Sequence, residues 1–402
     1  MTATPPATGV DAPGRLGAWG PSLRAALLVF LPVRAGLFVL GLLGVGLLPA
    51  REAVDVPGWP APEPSAAWHA VVTSWERQDA LWFLRIADSG YSTDDGSAAF
   101  FPLFPLLVRG VGTLLGGSWL LAAYLVSGLA LVAGLAVLHR LTLLELGSEL
   151  LARRTLLYLG VFPSAIFLFA PYSESLFLAL SVGCLYAARR SAWLSAAALG
   201  ALASGTRSAG VLLVLPLAVE AVLQHRGSGR RPLALLGRLA AAAGAGAGAA
   251  AYLLWWQIAH GDGLRPLEVQ RSAWQREPAR PWQTLVDGAQ EGTAFLGTYA
   301  GGYHTLDLLL VAVALAAGVW AVRRLRATWS VWLWASLVLP LTLQFPGRPL
   351  LSMPRYLVVL PPLFWALARL SERYRVHEAV VAVSAAGLGV FGLLFVSWYH
   401  VF

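Results

Sequence analysis

The residues of this chain best suited to chemistry are one aspartate and a few arginines set among aromatics. Residues 75–105 read WERQDALWFLRIADSGYSTDDGSAAFFPLFP. Around Asp79, the residues Trp75, Trp82, Phe83 and Ile86 recur at near-helical spacing, which predicts a short amphipathic helix at a membrane interface. A carboxylate beside a low-dielectric surface has its pKa pushed toward the range of a general base. Glu76, three residues earlier on the same predicted helix face, is its nearest rival. Arg207, Arg348 and Arg355 lie at the ends of apolar segments, and a guanidinium fork suits the oxygens of an oxyanion. Thiol and metal chemistry find little here. The one cysteine, Cys184, lies in an apolar run, and the seven histidines form no HxxxH or HExxH pair. That excludes an internal disulfide and a cysteine-based metal site. No metal or other cofactor is expected, although Asp94 and Asp95 together could hold a cation.

The elements that must position these groups are apolar. The 402 residues are 57% hydrophobic and 12% charged, against roughly 25% charged in soluble domains. Stretches able to cross a bilayer recur over 24–48, 118–139, 155–170, 174–188, 192–205, 209–224, 239–259, 303–322, 329–345, 353–371 and 378–400. Several are short of the ~20 residues a span needs. The predicted fold is an all-α, polytopic membrane bundle of about eleven spans, in one unit from residue 24 to 402 behind a cytoplasmic tail, 1–23. The run from Ala240 to Ala251, with Gly244, Gly246 and Gly248, follows no strand and sits inside a span. It reads as close helix packing and not as a dinucleotide fingerprint.

Charge sets the expected orientation. The net charge is +8, and every basic residue is Arg. The arginines fall in small groups between apolar segments, the pattern of positive-inside loops and not of a nucleic-acid surface. With the N-terminus inside and residues 101–116 not crossing, the groups at 140–154, 189–190, 226–238, 323–326 and 369–375 all face inward. If 101–116 crossed, they would all face outward. That segment is therefore expected to lie on, or dip into, the outer leaflet. Two sizeable segments, 49–117 and 260–302, then face outward. Asp79, Tyr172, Glu174, Arg207, Arg348 and Arg355 come to the outer side, where the rule disfavours arginine.

These stretches carry a family resemblance. Asp79-Ala80 followed by Phe83-Leu84, Ile86-Ala87 and Gly90-Tyr91, then Ala99-Phe100-Phe101-Pro102-Leu103-Phe104-Pro105, resembles the PIG-V mannosyltransferases, in particular their bacterial relatives. These belong to the GT-C superfamily of glycosyltransferases that use lipid-linked sugars. Phe162-Pro163-Ser164, Pro171 to Phe177, Gly205 to Ser208, and Ser352 to Tyr356 agree in the same order. One departure is Gln78, where the family commonly has Trp. The resemblance implies a GT-C-type bundle with a helical first outer loop, a polyprenyl-phosphate-linked sugar donor, mannose above all, and direct inverting transfer. It carries the base onto Asp79. It leaves Arg207, Arg355 and Arg348 to hold the donor phosphate, and Gln78, Trp82, Tyr91, Tyr172 and Glu174 to contact substrate. The acceptor is a glycan, glycolipid or protein outside the cytoplasm, and membrane lipid surrounds the chain.

Plainer readings stand beside these. Asp88, Asp94 and Asp95 read as solvated or structural acids. Glu174 either caps the helix it opens or meets substrate. Arg207 at a span end either snorkels or binds, and Arg34 inside the first span either snorkels, pairs or serves function. A transporter or flippase of lipid-linked sugars is the competing function. Such carriers more often show internal repeats and helices broken at the midplane, whereas here the ionisable residues gather at one face.

Overall fold

The computed structural model describes residues 19–49, 51–62, 69–227, 232–297 and 302–399. Most of the predicted tail 1–23 lies outside them. The chain is helical almost throughout. From the N-terminus run α1 (Gly20–Leu47), α2 (His69–Thr73), α3 (Asp79–Ser89), α4 (Leu103–Leu114), α5 (Trp119–Leu146), α6 (Glu149–Val161) and α7 (Ile166–Phe169). The middle holds α8 (Glu174–Arg189), α9 (Trp193–Thr206), α10 (Val214–Arg226), α11 (Pro232–Gly244), α12 (Ala247–His260) and α13 (Arg265–Ser272). Next come α14 (Pro281–Ala294), α15 (Gly302–Arg324), α16 (Ala327–Val338), α17 (Met353–Leu357), α18 (Pro361–Tyr374) and α19 (His377–Val396). Two short strands, β1 (Glu277–Pro278) and β2 (Leu343–Gln344), pair antiparallel.

The all-α membrane bundle is borne out. Among the described residues, five helical segments are long and apolar enough to cross a bilayer, and seven if each of two bent pairs counts as one. The bends have local causes. Pro163 cannot continue α6, so the chain turns by 72° there, and α11 and α12 meet at 50° across Ala245-Gly246. The remaining expected spans are helical but short. Pro340 follows the end of α16, and Pro361 restarts the chain as α18 after α17. Residues 353–371 are thus two helices and not one.

Small residues let the helices meet closely. α8 packs between α5 and α9. A Cβ at Gly134 in α5 would come within 3.1 Å of the Ala179 Cα in α8. A Cβ at Gly248 in α12 would fall on the Ala201 carbonyl oxygen of α9, so the glycines of the 240–251 run serve packing.

One structural expectation changes. α3 does not lie on a surface: Ala80, Leu81, Trp82, Phe83, Leu84, Ile86 and Ala87 are all buried, against α4 and α5. Trp75 stands before the helix and stacks on Phe395 of α19, with ring centroids 5.8 Å apart. α4, with 12 residues, is only about 18 Å long, too short for a ~30 Å hydrocarbon core. Its Arg109 donates to the Ala87 and Asp88 carbonyls at 2.7 and 2.6 Å, capping the end of α3.

Candidate active site

The site is built where α3, α8, α9 and α17 begin or end, so short side chains reach one volume. Gln78 precedes α3 with φ 55°, a left-handed conformation. This turn puts Asp79 in the first position of the helix, where a carboxylate is favoured by the helix dipole. It also separates Glu76 from the helix, so Glu76 and Asp79 do not share a helix face as the spacing suggested. Glu76 instead accepts the Trp59 indole N–H at 3.1 Å. Burial raises its pKa, against that bond and the neighbouring Arg77.

Tyr172 fixes the turn from beneath. Its hydroxyl donates to the Arg77 carbonyl at 3.0 Å and accepts the Asp79 N–H at 3.2 Å. Burial first, and the nearby Asp79 charge second, raise its own pKa well above that of a free phenol, so it remains a donor. Arg77 is tied to the Val396 carbonyl at 3.0 Å and the Thr73 carbonyl at 2.8 Å, which fastens the turn to α19 and α2. Arg34 of α1 supports the approach to Tyr172. It donates to the Phe169 carbonyl, inside a box of Phe30, Phe38, Tyr124 and Phe169 rings whose centroids lie 5.4–5.6 Å away.

Charged groups converge above the turn. Arg355 of α17 pairs with Asp79 and with Glu174, and Arg207 pairs with the same Glu174 oxygen. Arg207 also donates to the Ser173 hydroxyl at 3.3 Å. Glu174 is only 1% exposed and opens α8, so it both occupies a helix N-terminus and bridges two guanidiniums. The Arg355 guanidinium lies over the Tyr172 ring at 5.0 Å. Arg348 pairs with Asp307 of α15 at 2.7 Å and stacks on Tyr303 at 5.2 Å.

Part of this cluster faces a cavity of about 750 Å³, within the ~300–1,000 Å³ usual for small-molecule sites. Asp79, Gln78, Trp82, Arg207, Arg348 and Arg355 line it. One side is charged and the other aromatic. Trp82 stacks on Phe100 at 5.7 Å and meets Trp274 at 5.7 Å. Gln78 is 6% exposed, and its Nε2 is buried with no hydrogen-bond partner among the described residues.

Three residues expected at the substrate do not line this cavity. Tyr172 and Glu174 lie behind the wall, where they hold Asp79 and the arginines. Tyr91 follows the left-handed Gly90, at φ 85°, and turns away. Its hydroxyl donates to the Phe100 carbonyl at 2.8 Å, and its ring packs on Tyr252, Trp255 and Trp256 of α12. Asp95 pairs with Arg85 at 2.7 Å, and among the described residues no group of three or more metal-ligating side chains forms.

Sequence reasoning passed over Trp274 and Arg276, which line the cavity from the segment after α13. The signal was present: Arg265, Arg271, Arg276 and Arg280 all fall on a segment assigned outward, against the charge rule.

Residues 62–224 match the family model described as Mannosyltransferase (PIG-V). The GPI alpha-1,6-mannosyltransferase 2 of Cricetulus griseus is 35% identical over 147 residues, 34% of this chain and 30% of that protein. The protein of the same name from Rattus norvegicus is 34% identical over 154 residues, 36% of this chain and 31% of its own. The aligned region spans about a third of the length of these curated relatives. Among solved structures, the archaeal oligosaccharyltransferase AglB from Archaeoglobus fulgidus, in complex with an inhibitory peptide and a dolichol-phosphate, covers 92% of this chain and 56% of its own. Its TM-score is 0.41 and its sequence identity 12%. The resemblance read from the motifs at 79–105, 162–177 and 205–208 is borne out within the matched stretch.

Proposed function

With a PIG-V mannosyltransferase match over residues 62–224 as the premise, we propose that this chain is a glycosyltransferase of the GT-C type. It moves a hexose, mannose by its family, from a polyprenyl-phosphate donor to an acceptor outside the cytoplasm. One observation carries the reading: Arg355 joins Asp79 directly and Arg207 through Glu174. A proton acceptor and two cations thus share one cavity wall.

The chemistry follows from that wall. The acceptor hydroxyl attacks the anomeric carbon from the face opposite the phosphate, and the anomeric configuration inverts. Asp79 takes the hydroxyl proton. The bond from the anomeric carbon to the phosphate oxygen breaks, and its electron pair leaves on the lipid phosphate. Arg207, Arg355 and Arg348 face the charge that develops, and preorganised cations act strongly on it. Gln78 and Trp82 contact the sugar. Tyr172 and Glu174 position Asp79 and the arginines. No cytosolic nucleotide sugar is needed, because the donor arrives in the membrane.

The cavity end of the bundle faces outward in this reading. α8 supports it: Glu174 opens the helix at the cavity, and Arg189 ends it about 22 Å away. There Arg189 meets Glu145 and the buried Glu220, which Arg326 and Thr328 also contact. Arg-rich ends of this kind mark the inner side.

The purified protein, supplied with polyprenyl-phosphate mannose and glycan or glycolipid acceptors, tests the function. Release of free polyprenyl phosphate together with a mannosylated product is the expected result. Passage of intact donor across a vesicle bilayer without release would mark a carrier instead.

A further inference from the structure

The four arginines of the cavity are not equivalent. Arg207 and Arg355 share Glu174, and Arg355 also holds Asp79, so two cations meet two carboxylates. Arg348 is matched by Asp307. Arg276 has no ion pair among the described residues. Its Nη2 donates to the Ser352 hydroxyl at 2.8 Å and its Nη1 to the Leu351 carbonyl at 3.4 Å, both neutral oxygens. The excess positive charge of the wall therefore resides on Arg276.

The backbone is built to put it there. Gln275 has φ 52° and Ser352 φ 70°, a conformation that residues with side chains keep only where their surroundings impose it. Both line the cavity, and the Arg276 guanidinium ties one turn to the other. The Arg276 N–H donates to the Gln270 carbonyl at 2.7 Å. The next residue, Glu277, pairs with Gln344 in the β1–β2 ladder, which clamps the segment across the cavity.

We infer that Arg276 is a direct contact for the phosphate of a lipid-linked donor, supplying the net charge that the carboxylate-matched arginines lack. This rests on the proposed function and adds a residue outside the stretch that matches the family. An arriving phosphate exchanges two neutral partners of Arg276 for a charge-assisted bond and displaces no carboxylate.

Binding of farnesyl phosphate and of farnesol to the full-length protein in detergent provides the test. The wild-type protein should prefer the phosphate. Arg276→Gln should lose that preference by about tenfold or more while binding farnesol as before. Arg276→Lys should regain part of it, because charge returns without the fork. Arg271→Gln, on the exposed surface of α13, should change neither. An undiminished preference in Arg276→Gln overturns the inference and leaves the proposed function standing, as does an equal loss in Arg271→Gln. A wild-type protein that binds farnesol as well as farnesyl phosphate overturns both.

Discussion

The Tyr172 hydroxyl accepts the backbone N–H of Asp79 at 3.2 Å while donating to the Arg77 carbonyl on the other side of the turn. A side chain at the start of one helix thereby sets the first residue of another. Tyr172→Phe keeps the ring under Arg355 and removes both bonds. With each buried bond worth about 1 kcal/mol, loss of both should slow turnover by about 30-fold, with donor affinity nearly unchanged. Steady-state kinetics beside a donor-binding assay check this. Equal losses in turnover and donor affinity would assign Tyr172 to binding instead.

Glu76 separates cleanly from Asp79. It lies outside the cavity lining and is held by Trp59. Its raised pKa means that the folded protein binds this proton more tightly than the unfolded chain. Stability contributed by the protonated form is present below the ordinary glutamate range and is lost as pH rises through the raised folded value. Glu76→Gln keeps an oxygen for Trp59 and removes the titration. The variant should be active, and thermal unfolding from about pH 4 to 8 should lose part of its decline. A dead Glu76→Gln protein would move the base to Glu76.

Glu174 is the hub of the cations. Glu174→Gln leaves Arg207 and Arg355 facing one another across a neutral amide. Breaking a buried pair on one side costs about 3–5 kcal/mol, so the unfolding temperature in detergent should drop clearly. Unchanged stability would show that the arginines find other partners, and that Glu174 is not what assembles them.

The orientation is open to labelling. Asp94 is exposed near the cavity end, and Leu150 is 49% exposed at the far end. In a Cys184→Ser background, cysteines at 94 and 150 should react with an impermeant thiol reagent from opposite sides of the membrane. Reaction from one side would sink the topology, including the placement of 101–116 on the outer leaflet.

The apolar runs were legible because a bilayer demands length and hydropathy, and both are local properties. Asp79, Arg207 and Arg355 were legible because polar residues at one end of an apolar bundle stand out against it. What sequence could not disclose was direction. The left-handed turns at Gln78 and Gly90 decide that Glu76 leaves the helix and that Tyr91 points toward α12. The turn at Gln78 is not implied by its residue type. Glu174 offered capping or substrate contact, and its bridge to two arginines depends on the start of α8, the end of α9 and α17 meeting, a tertiary fact. Arg276 was visible only as one of several arginines on an outward segment.

The most direct measurement is turnover by Asp79→Asn. The substitution keeps the size of the side chain and its reach to Arg355 and removes the proton acceptor. Polyprenyl-phosphate release from polyprenyl-phosphate mannose in the presence of acceptor should fall by about 10²–10⁴-fold, while folding and donor binding persist. An Asp79→Asn protein that folds, binds donor and releases polyprenyl phosphate at the wild-type rate would contradict the account.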